Sequence, residues 1–267
     1  MGLSQWIEIG RMDELGRMDT PVHRLDARAK AVVTLAFIVI LMSFDRHEIS
    51  ALTPFALFPL LMFSVGQLPA LPLLRKIAVA APFAILVGLF NPWLDRTPVF
   101  SLGPWVVTGG WLSFASILVR FLLTVGAALI LVATTGMYRL GAGLERLGVP
   151  QLFVTQLLML YRYLFVVADE GSRMVRSVQL RSGSGQVLAL RVYGSLVGHL
   201  LLRALDRAER VHRAMVARGF DGEVRLAEPG RFGWPEGLFV AGWLLFFTVA
   251  RVWNLADGVG RWMGAWL

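Results

Sequence analysis

The sequence predicts an all-α membrane protein with about five to six transmembrane helices and long amphipathic helices on the cytoplasmic side. Of its 267 residues, 56% are hydrophobic and only 16% are charged, whereas soluble chains carry about 25% charged residues. Long uncharged runs recur along the chain, and the segment 136–231 holds fourteen arginines and no lysine. Because water cannot solvate so much apolar surface, lipid must surround much of the chain.

Five uncharged runs mark the membrane spans. They cover residues 31–44, 49–74, 77–94, 121–138 and 237–250. The first run is short for a bilayer that needs about 20 apolar residues, so we expect the Lys30 ammonium to snorkel outward and lengthen it. The second run should end near Gln67-Leu68-Pro69, and a loop from Pro98 to Gly110 should follow the third. Arg120 should face protein or an interface, because lipid would not solvate its charge.

Basic residues orient the chain in the bilayer. Arg75 and Lys76 occupy the predicted turn before the third run, whereas the turns at 45–48 and 95–96 hold one arginine each. The positive-inside rule then places the N-terminus, that turn and the arginine-rich segment in the bacterial cytoplasm, with the C-terminus outside the inner membrane. The same rule explains the net charge of +8 without a nucleic-acid partner.

The chain divides into three predicted regions. Residues 1–135 hold the N-terminal segment and transmembrane helices, residues 136–235 form a cytoplasmic-facing helical region, and residues 236–267 form the last transmembrane helix and its tail. Two long helices, at about 151–181 and from Leu190 onward, follow one plan in the middle region. Each begins apolar and ends charged, which indicates a helix that leaves the membrane core and runs along its cytoplasmic face.

The periodicity of the second long helix defines two faces. Steps of three and four residues place one apolar stripe at Leu190, Tyr193, Val197, Leu200, Ala204, Ala208, Val211 and Met215. The opposite face carries Arg203, Asp206, Arg207, Glu209, Arg210 and Arg213. Two acid–arginine pairs on that face, Asp206/Arg210 and Glu209/Arg213, are spaced to interact along the helix.

No pattern for catalysis, cofactor binding or metal binding is found in the sequence. A P-loop needs a lysine before Ser or Thr, but Lys30 precedes Ala31 and Lys76 precedes Ile77. The chain has no cysteine, and none of its four histidines forms a pair at i,i+3 or i,i+4. Ser182-Gly183-Ser184-Gly185 follows no strand, which favours a flexible turn. We therefore expect no enzyme activity, no cofactor and no metal site.

Two helix ends are the candidate functional sites. In Ala217-Arg218-Gly219, glycine can end the helix in the left-handed conformation while arginine complements the helix dipole. Alternatively, the Arg218 guanidinium projects to carboxylates or carbonyls of a partner, a role that suits its planar, permanently charged fork. Leu180-Arg181-Ser182 stands at the end of the first long helix and allows the same two interpretations.

Three stretches resemble the transmembrane T component of energy-coupling factor (ECF) transporters, most closely its cobalt-transport, CbiQ-type branch. The stretch from His23 to Lys30 is similar to the family's approach to its first span, although Ala27 replaces the usual proline. Gly148-Val149-Pro150 followed by Tyr161-Arg162-Tyr163 resembles the start of its first long coupling helix. Ala214 to Gly222 resembles its most characteristic stretch. The resemblance covers about residues 20–253.

The resemblance implies a non-catalytic scaffold for cobalt ion uptake. In this family the T component joins two cytosolic ABC ATPases, which hydrolyse ATP, to a metal-binding membrane subunit, the S component. Small-Arg-small motifs at the ends of crossed coupling helices dock into the ATPases. Carried over, the docking residues are Ala217, Arg218 and Gly219, with Leu180, Arg181 and Ser182 at the first end. Leu180 departs from the small residue that is usual there.

Other functions stay open at the level of sequence. The chain could be a transmembrane subunit of another importer that forms the permeation path itself, or a T component for nickel or a vitamin. A platform for anionic lipid or nucleic acid would also use the arginine-rich segment, and a membrane-embedded enzyme has no residue constellation behind it.

Overall fold

The computed structural model describes residues 15–16, 18–45, 50–95, 97–102, 105–181, 190–222 and 232–252. The helices are α1 Pro21–Arg24, α2 Ala27–Met42, a 3-10 helix Ser50–Ala56, α3 Leu57–Val65, α4 Ala70–Gly88, α5 Asn91–Leu94, α6 Gly109–Thr135, α7 Met137–Arg146, α8 Gln151–Arg181, α9 Leu190–Val216 and α10 Trp234–Val252. Strands β1 (Pro98–Leu102) and β2 (Trp105–Thr108) pair antiparallel.

The helical content confirms an all-α membrane protein, with one short hairpin inside the predicted loop. Four helical stretches are long and apolar enough to cross a bilayer: Ala70–Trp93, Gly109–Thr135, Gln151–Arg181 and Trp234–Val252. Two further apolar helices, Ala27–Met42 with 16 residues and Ser50–Val65, are shorter than the roughly 20 residues of a typical span. At 31 residues, α8 is about 46 Å long, which exceeds the hydrocarbon thickness.

The described chain divides into two compact units. The core unit comprises residues 12–143 and 230–267, and the arm unit comprises residues 1–11 and 144–229. The three regions predicted from sequence stay a prediction.

Aromatic rings fill the centre of the core unit. Phe37 of α2, Phe55 of the 3-10 helix, Phe58 of α3 and Phe247 of α10 are at most 2% exposed. The ring centroids of Phe37 and Phe58 lie 5.0 Å apart, and Phe247 stacks on Phe55 at 5.9 Å. Phe58 also meets Phe247 edge to face at 5.6 Å, and edge-to-face and offset-stacked contacts suit the aromatic quadrupole. The cluster joins α10 to α2, the 3-10 helix and α3, which lie much earlier in the chain.

The outer surface of the core unit is apolar along α4. Val79, Phe83 and Leu86 are 72%, 74% and 59% exposed. A soluble protein would rarely leave such large side chains in contact with water along one helix. Lipid is therefore the solvent of this face, as the composition predicts.

Arg75 and Lys76 do not lie in a turn, so that prediction is wrong. Gln67, with a φ of 48°, ends the preceding segment at the predicted place, and α4 begins at Ala70. Pro72 falls in the first turn of α4, where no backbone N–H has an intrahelical partner to lose. Pro72 therefore permits α4 to begin before residue 77, where the third uncharged run begins, and α4 includes Arg75 and Lys76.

Lys30 does not snorkel, which corrects a second prediction. The residue is 1% exposed, and its Nζ donates a hydrogen bond to the carbonyl oxygen of Thr134 at 2.8 Å. The last turn of a helix lacks intrahelical partners for its carbonyls, and α6 ends where Gly136 takes a φ of 74°. The ammonium of Lys30 thus caps the C-terminal end of α6 inside the core unit.

Two arginines cap the other end of α2. Arg120 of α6 donates to the carbonyl oxygen of Phe44 at 2.9 Å and also to that of Asp45. Arg251 of α10 donates to the carbonyl oxygen of Ser43 at 3.1 Å, and its guanidinium lies 4.2 Å from the centre of the Phe44 ring. Arg120 therefore faces protein, as the sequence predicts.

The arm unit contains α8 and α9 packed against each other. Helix α8 has the bounds that the sequence predicts, and α9 extends from Leu190 as expected. The predicted apolar stripe of α9 is only partly correct, because Leu200, Ala204, Val211 and Met215 are half-buried whereas Tyr193 and Val197 are exposed. The charged face is also interrupted, since Arg207 is half-buried.

Candidate functional site

The end of α9 is a glycine-capped helix terminus. The N–H of Phe220 donates to the carbonyl oxygen of Met215, and the N–H of Gly219 donates to that of Val216, both at 3.0 Å. Gly219 has a φ of 82°. This pair of bonds is the Schellman motif, which satisfies carbonyls that the helix leaves unpaired. The cap that the sequence predicts therefore forms, and its hydrogen bonds fix the backbone conformation at Arg218.

Arg218 projects from this cap into the open. Ala217, Arg218 and Gly219 are all exposed. Within the described residues, no hydrogen bond or ion pair of the Arg218 side chain is found. A capped helix end that holds a guanidinium without a partner among the described residues suits recognition of a carboxylate or a carbonyl on another molecule.

The end of α8 presents a similar but less complete arrangement. Leu180 is 79% exposed, and Arg181, the last residue of α8, is exposed as well. Ser182 lies outside the described residues, as do Gly183 and Gly185. In the described part of the chain, the Arg181 side chain makes no ion pair, and nothing there joins it to Arg218.

The two helices are linked at a crossing that lies well before their ends. Glu170 of α8 accepts hydrogen bonds from Arg207 Nη2 at 2.7 Å and from Arg203 Nη1 at 3.4 Å. Beside it, a Cβ on Gly171 would lie 3.2 Å from Leu200 Cδ2. Glycine at this position therefore lets the two helices approach closely.

The sequence interpretation missed the contact between Glu170 and the two arginines at this crossing. It placed Arg203 and Arg207 on a charged face of the second long helix and paired neither of them with a residue of the first. One signal was present: a lone glycine inside a strong helical pattern costs about 1 kcal/mol relative to alanine, and usually has a packing reason. The pairing itself joins residues 37 positions apart, which helical periodicity cannot detect.

Across the described ranges, no cluster of three or more His, Cys, Asp or Glu could hold a metal ion. Two further ion pairs among the described residues of the arm unit each link residues of one helix, Asp169 to Arg173 at 2.7 Å and Glu209 to Arg213 at 3.7 Å. The second of these pairs is predicted by the sequence. Exposed pairs of this kind contribute little to stability.

Comparison with known proteins identifies the family. The family model described as CbiQ, cobalt transport protein, matches residues 18–228. The chain is 27% identical over 255 residues to the energy-coupling factor transporter transmembrane protein EcfT of Leuconostoc gelidum subsp. gasicomitatum, covering 87% of this chain and 93% of that protein.

Two further relatives carry the names of metals. The cobalt transport protein CbiQ of Rhodobacter capsulatus is 35% identical over 97 residues, which is 36% of this chain and 40% of that protein. The nickel permease LarQ of Lactiplantibacillus plantarum is 26% identical over 185 residues, covering 61% of this chain and 67% of that protein. The match to the Rhodobacter protein thus spans less than half of that relative's length.

The family match covers most of the chain, including the two arms, α8 and α9, and the motifs singled out in the sequence. It confirms the resemblance to the cobalt-type branch of ECF T components, and with the apolar helices it describes a multi-pass membrane protein. The relatives bear the names of transport components. The chain belongs to the CbiQ family of cobalt transport proteins.

Proposed function

We propose that the chain is the non-catalytic transmembrane coupling subunit of an ECF importer for cobalt ion. Its partners are two cytosolic ABC ATPases, which hydrolyse the ATP, and a substrate-binding membrane subunit. The observation that carries the proposal is the end of α9, where a capped backbone holds Arg218 exposed and without a side-chain partner in the described residues. EcfT and CbiQ names among the relatives support it.

The proposed mechanism is mechanical. Closure of the ATPases on nucleotide moves the docked ends of α8 and α9. Because each arm is one continuous helix, of 31 and 27 residues, the displacement is carried along it to the bilayer. There it tilts or releases the substrate-binding subunit, a rigid-body transition of a known kind. The chain itself supplies docking and rigidity, and its arginine-rich segment 136–231 lies on the cytoplasmic side of the bacterial inner membrane.

A double charge reversal tests the docking role. Arg181→Glu combined with Arg218→Glu should abolish co-purification of the ATPases from membranes of the native host, because an acidic group would repel acceptor groups on the partner. The matched control is Arg176→Glu with Arg210→Glu, since both arginines are exposed on the same two helices and the change in charge is equal. The control should retain the ATPases. If the docking variant retains both ATPases and uptake, the docking role is wrong.

Nickel is the second candidate substrate, favoured by the similarity to the nickel permease LarQ. Uptake of radioactive cobalt by cells that contain the whole complex, competed by excess unlabelled nickel or cobalt, separates the two. Cobalt should compete far better than nickel if the cobalt proposal is correct, and the reverse order would assign nickel. Substrate binding by the isolated chain would instead favour a permeation-path subunit.

A further inference from the structure

The charged groups between α8 and α9 form a clamp rather than a surface pair. Glu170 uses both carboxylate oxygens, Oε1 for Arg203 and Oε2 for Arg207. Its side chain is 17% exposed, whereas the carboxylates of Asp169 and Glu209 in the same unit are 59% and 74% exposed. A carboxylate shielded from water interacts more strongly with its partners than an exposed one.

The geometry of this clamp fixes how α9 is oriented relative to α8. Arg203 and Arg207 are four residues apart on α9, so they lie on one face of the helix. A single carboxylate that holds both fixes the rotation of α9 and its position along its axis relative to α8. The approach of Gly171 to Leu200 at the same place limits the distance between the two helices.

Arg207 depends on Glu170 for its pairing. Its Nε is buried and makes no hydrogen bond to any of the described residues. Without the carboxylate, a half-buried guanidinium would have no opposite charge beside it, which is strongly unfavourable. Loss of the Glu170 carboxylate should therefore destabilise the crossing.

The clamp lies at equal distances from both candidate docking ends. Eleven residues separate Glu170 from Arg181, and eleven separate Arg207 from Arg218. At 1.5 Å per residue, each arm extends about 16 Å beyond the crossing to its arginine. A displacement of the end of α8 is thus transmitted to the end of α9 through the contact at Glu170, which lies about equally far from Arg181 and from Arg218.

We propose that Glu170 is a positioning residue that clamps the two arms at their crossing, so that the ends carrying Arg181 and Arg218 move as one rigid unit. This inference rests on the proposed function, in which those ends dock on ATPases. Loss of the clamp should leave both docking ends intact but separate their movements. ATP would then be hydrolysed with less substrate taken up.

The distance between α8 and α9 can be measured with spin labels. Labels can be attached at chosen sites because the chain has no native cysteine. Ser177→Cys on α8 and Ala214→Cys on α9 place labels at exposed positions of the full-length chain in lipid nanodiscs. The native background should give one narrow distribution of label-to-label distances by pulsed electron paramagnetic resonance. Glu170→Gln should lose that single peak, whereas Asp169→Asn on the neighbouring exposed carboxylate should keep it.

A charge exchange separates a clamp from a general loss of folding. Glu170→Arg should lose the narrow peak, and Glu170→Arg combined with Arg207→Glu should restore it. In the purified complex, Glu170→Gln should retain the ATPases but raise the number of ATP molecules hydrolysed per ion taken up. An unchanged distance distribution in Glu170→Gln would overturn the clamp whether or not the ATPases dock. ATPase binding that survives the double arginine reversal would overturn the docking role alone.

Discussion

Lys30 is a charged residue used as a structural cap. Its ammonium reaches a carbonyl 104 residues away in the chain, at the C-terminal end of α6. Asp26 forms the N-cap of the same helix, where it accepts a hydrogen bond from the N–H of Arg28 at 2.8 Å. The first turn of α2 therefore holds two helix termini together.

Replacing Lys30 with alanine should destabilise the core unit. Lys30→Ala removes a hydrogen bond from a charged donor and leaves a cavity where the aliphatic stem was buried, a loss of about 2–4 kcal/mol. Thermal unfolding in detergent would measure it. Lys76→Ala, the equivalent change at the other lysine of the chain, should lower the midpoint much less. Equal midpoints for the two variants would contradict the capping role.

His23 makes stability depend on pH. Burial lowers the pKa of its imidazole below 6.5, and the positive charge of Lys30 lowers it further. The unfolded chain therefore takes up a proton near pH 6.5 while the folded chain does not. Because the unfolded state then binds more protons, the free energy of unfolding falls as the pH drops below about 6.5.

Comparison of histidine variants checks this pH dependence. The unfolding midpoint of the native chain in detergent should fall between pH 7.5 and pH 5, and His23→Gln should lose less over the same interval. His212 is exposed, so His212→Gln should follow the native curve. A native slope in His23→Gln would exclude His23 as the cause.

At the scale of helices, local patterns predict bounds well and long-range contacts poorly. Helix α8 has the predicted limits because its hydrophobic period is continuous, and the end of α9 is predicted because glycine is the residue that favours a positive φ. Lys30 and Arg207 were misplaced because their partners lie 104 and 37 residues away. Arg218 and Arg181 could be singled out from their place at helix ends, but not the clamp behind them.

Two glycines in helices should respond oppositely to alanine. A Cβ at Gly143 of α7 would lie 2.9 Å from Ala27 Cβ and 3.3 Å from the backbone of Ala27 and Arg28, whereas nothing lies within 4 Å of one at Gly198 of α9. Gly143→Ala should lower stability by about 1–3 kcal/mol through steric overlap. Gly198→Ala should raise it by up to about 1 kcal/mol through helix propensity.

Thermal unfolding of both glycine variants separates the two effects. Both variants gain helix propensity, but only Gly143→Ala places a Cβ against a neighbouring helix. A stable Gly143→Ala variant would mean that α7 and the start of α2 can move apart at little cost.

At the scale of the whole molecule, the distribution of charge predicts the orientation of the chain in the bilayer. The segment 136–231 holds fourteen of the 26 basic residues, and the positive-inside rule places such a segment in the cytoplasm. The arms can reach cytosolic ATPases only in this orientation. We therefore predict that the hairpin β1–β2 lies on the opposite side of the membrane from the start of this segment, because the long apolar helix α6 separates the two along the chain.

Cysteine labelling tests this orientation on a chain without native cysteine. Thr97→Cys beside the hairpin and His212→Cys on α9 both replace exposed residues. A membrane-impermeant maleimide applied to intact spheroplasts should label Thr97→Cys at once, but His212→Cys only after the membrane is permeabilised. Labelling of His212→Cys in intact spheroplasts would place the arms outside the cell. There they could not contact a cytosolic ATPase, so the proposed function requires that His212→Cys is labelled only after the membrane is permeabilised.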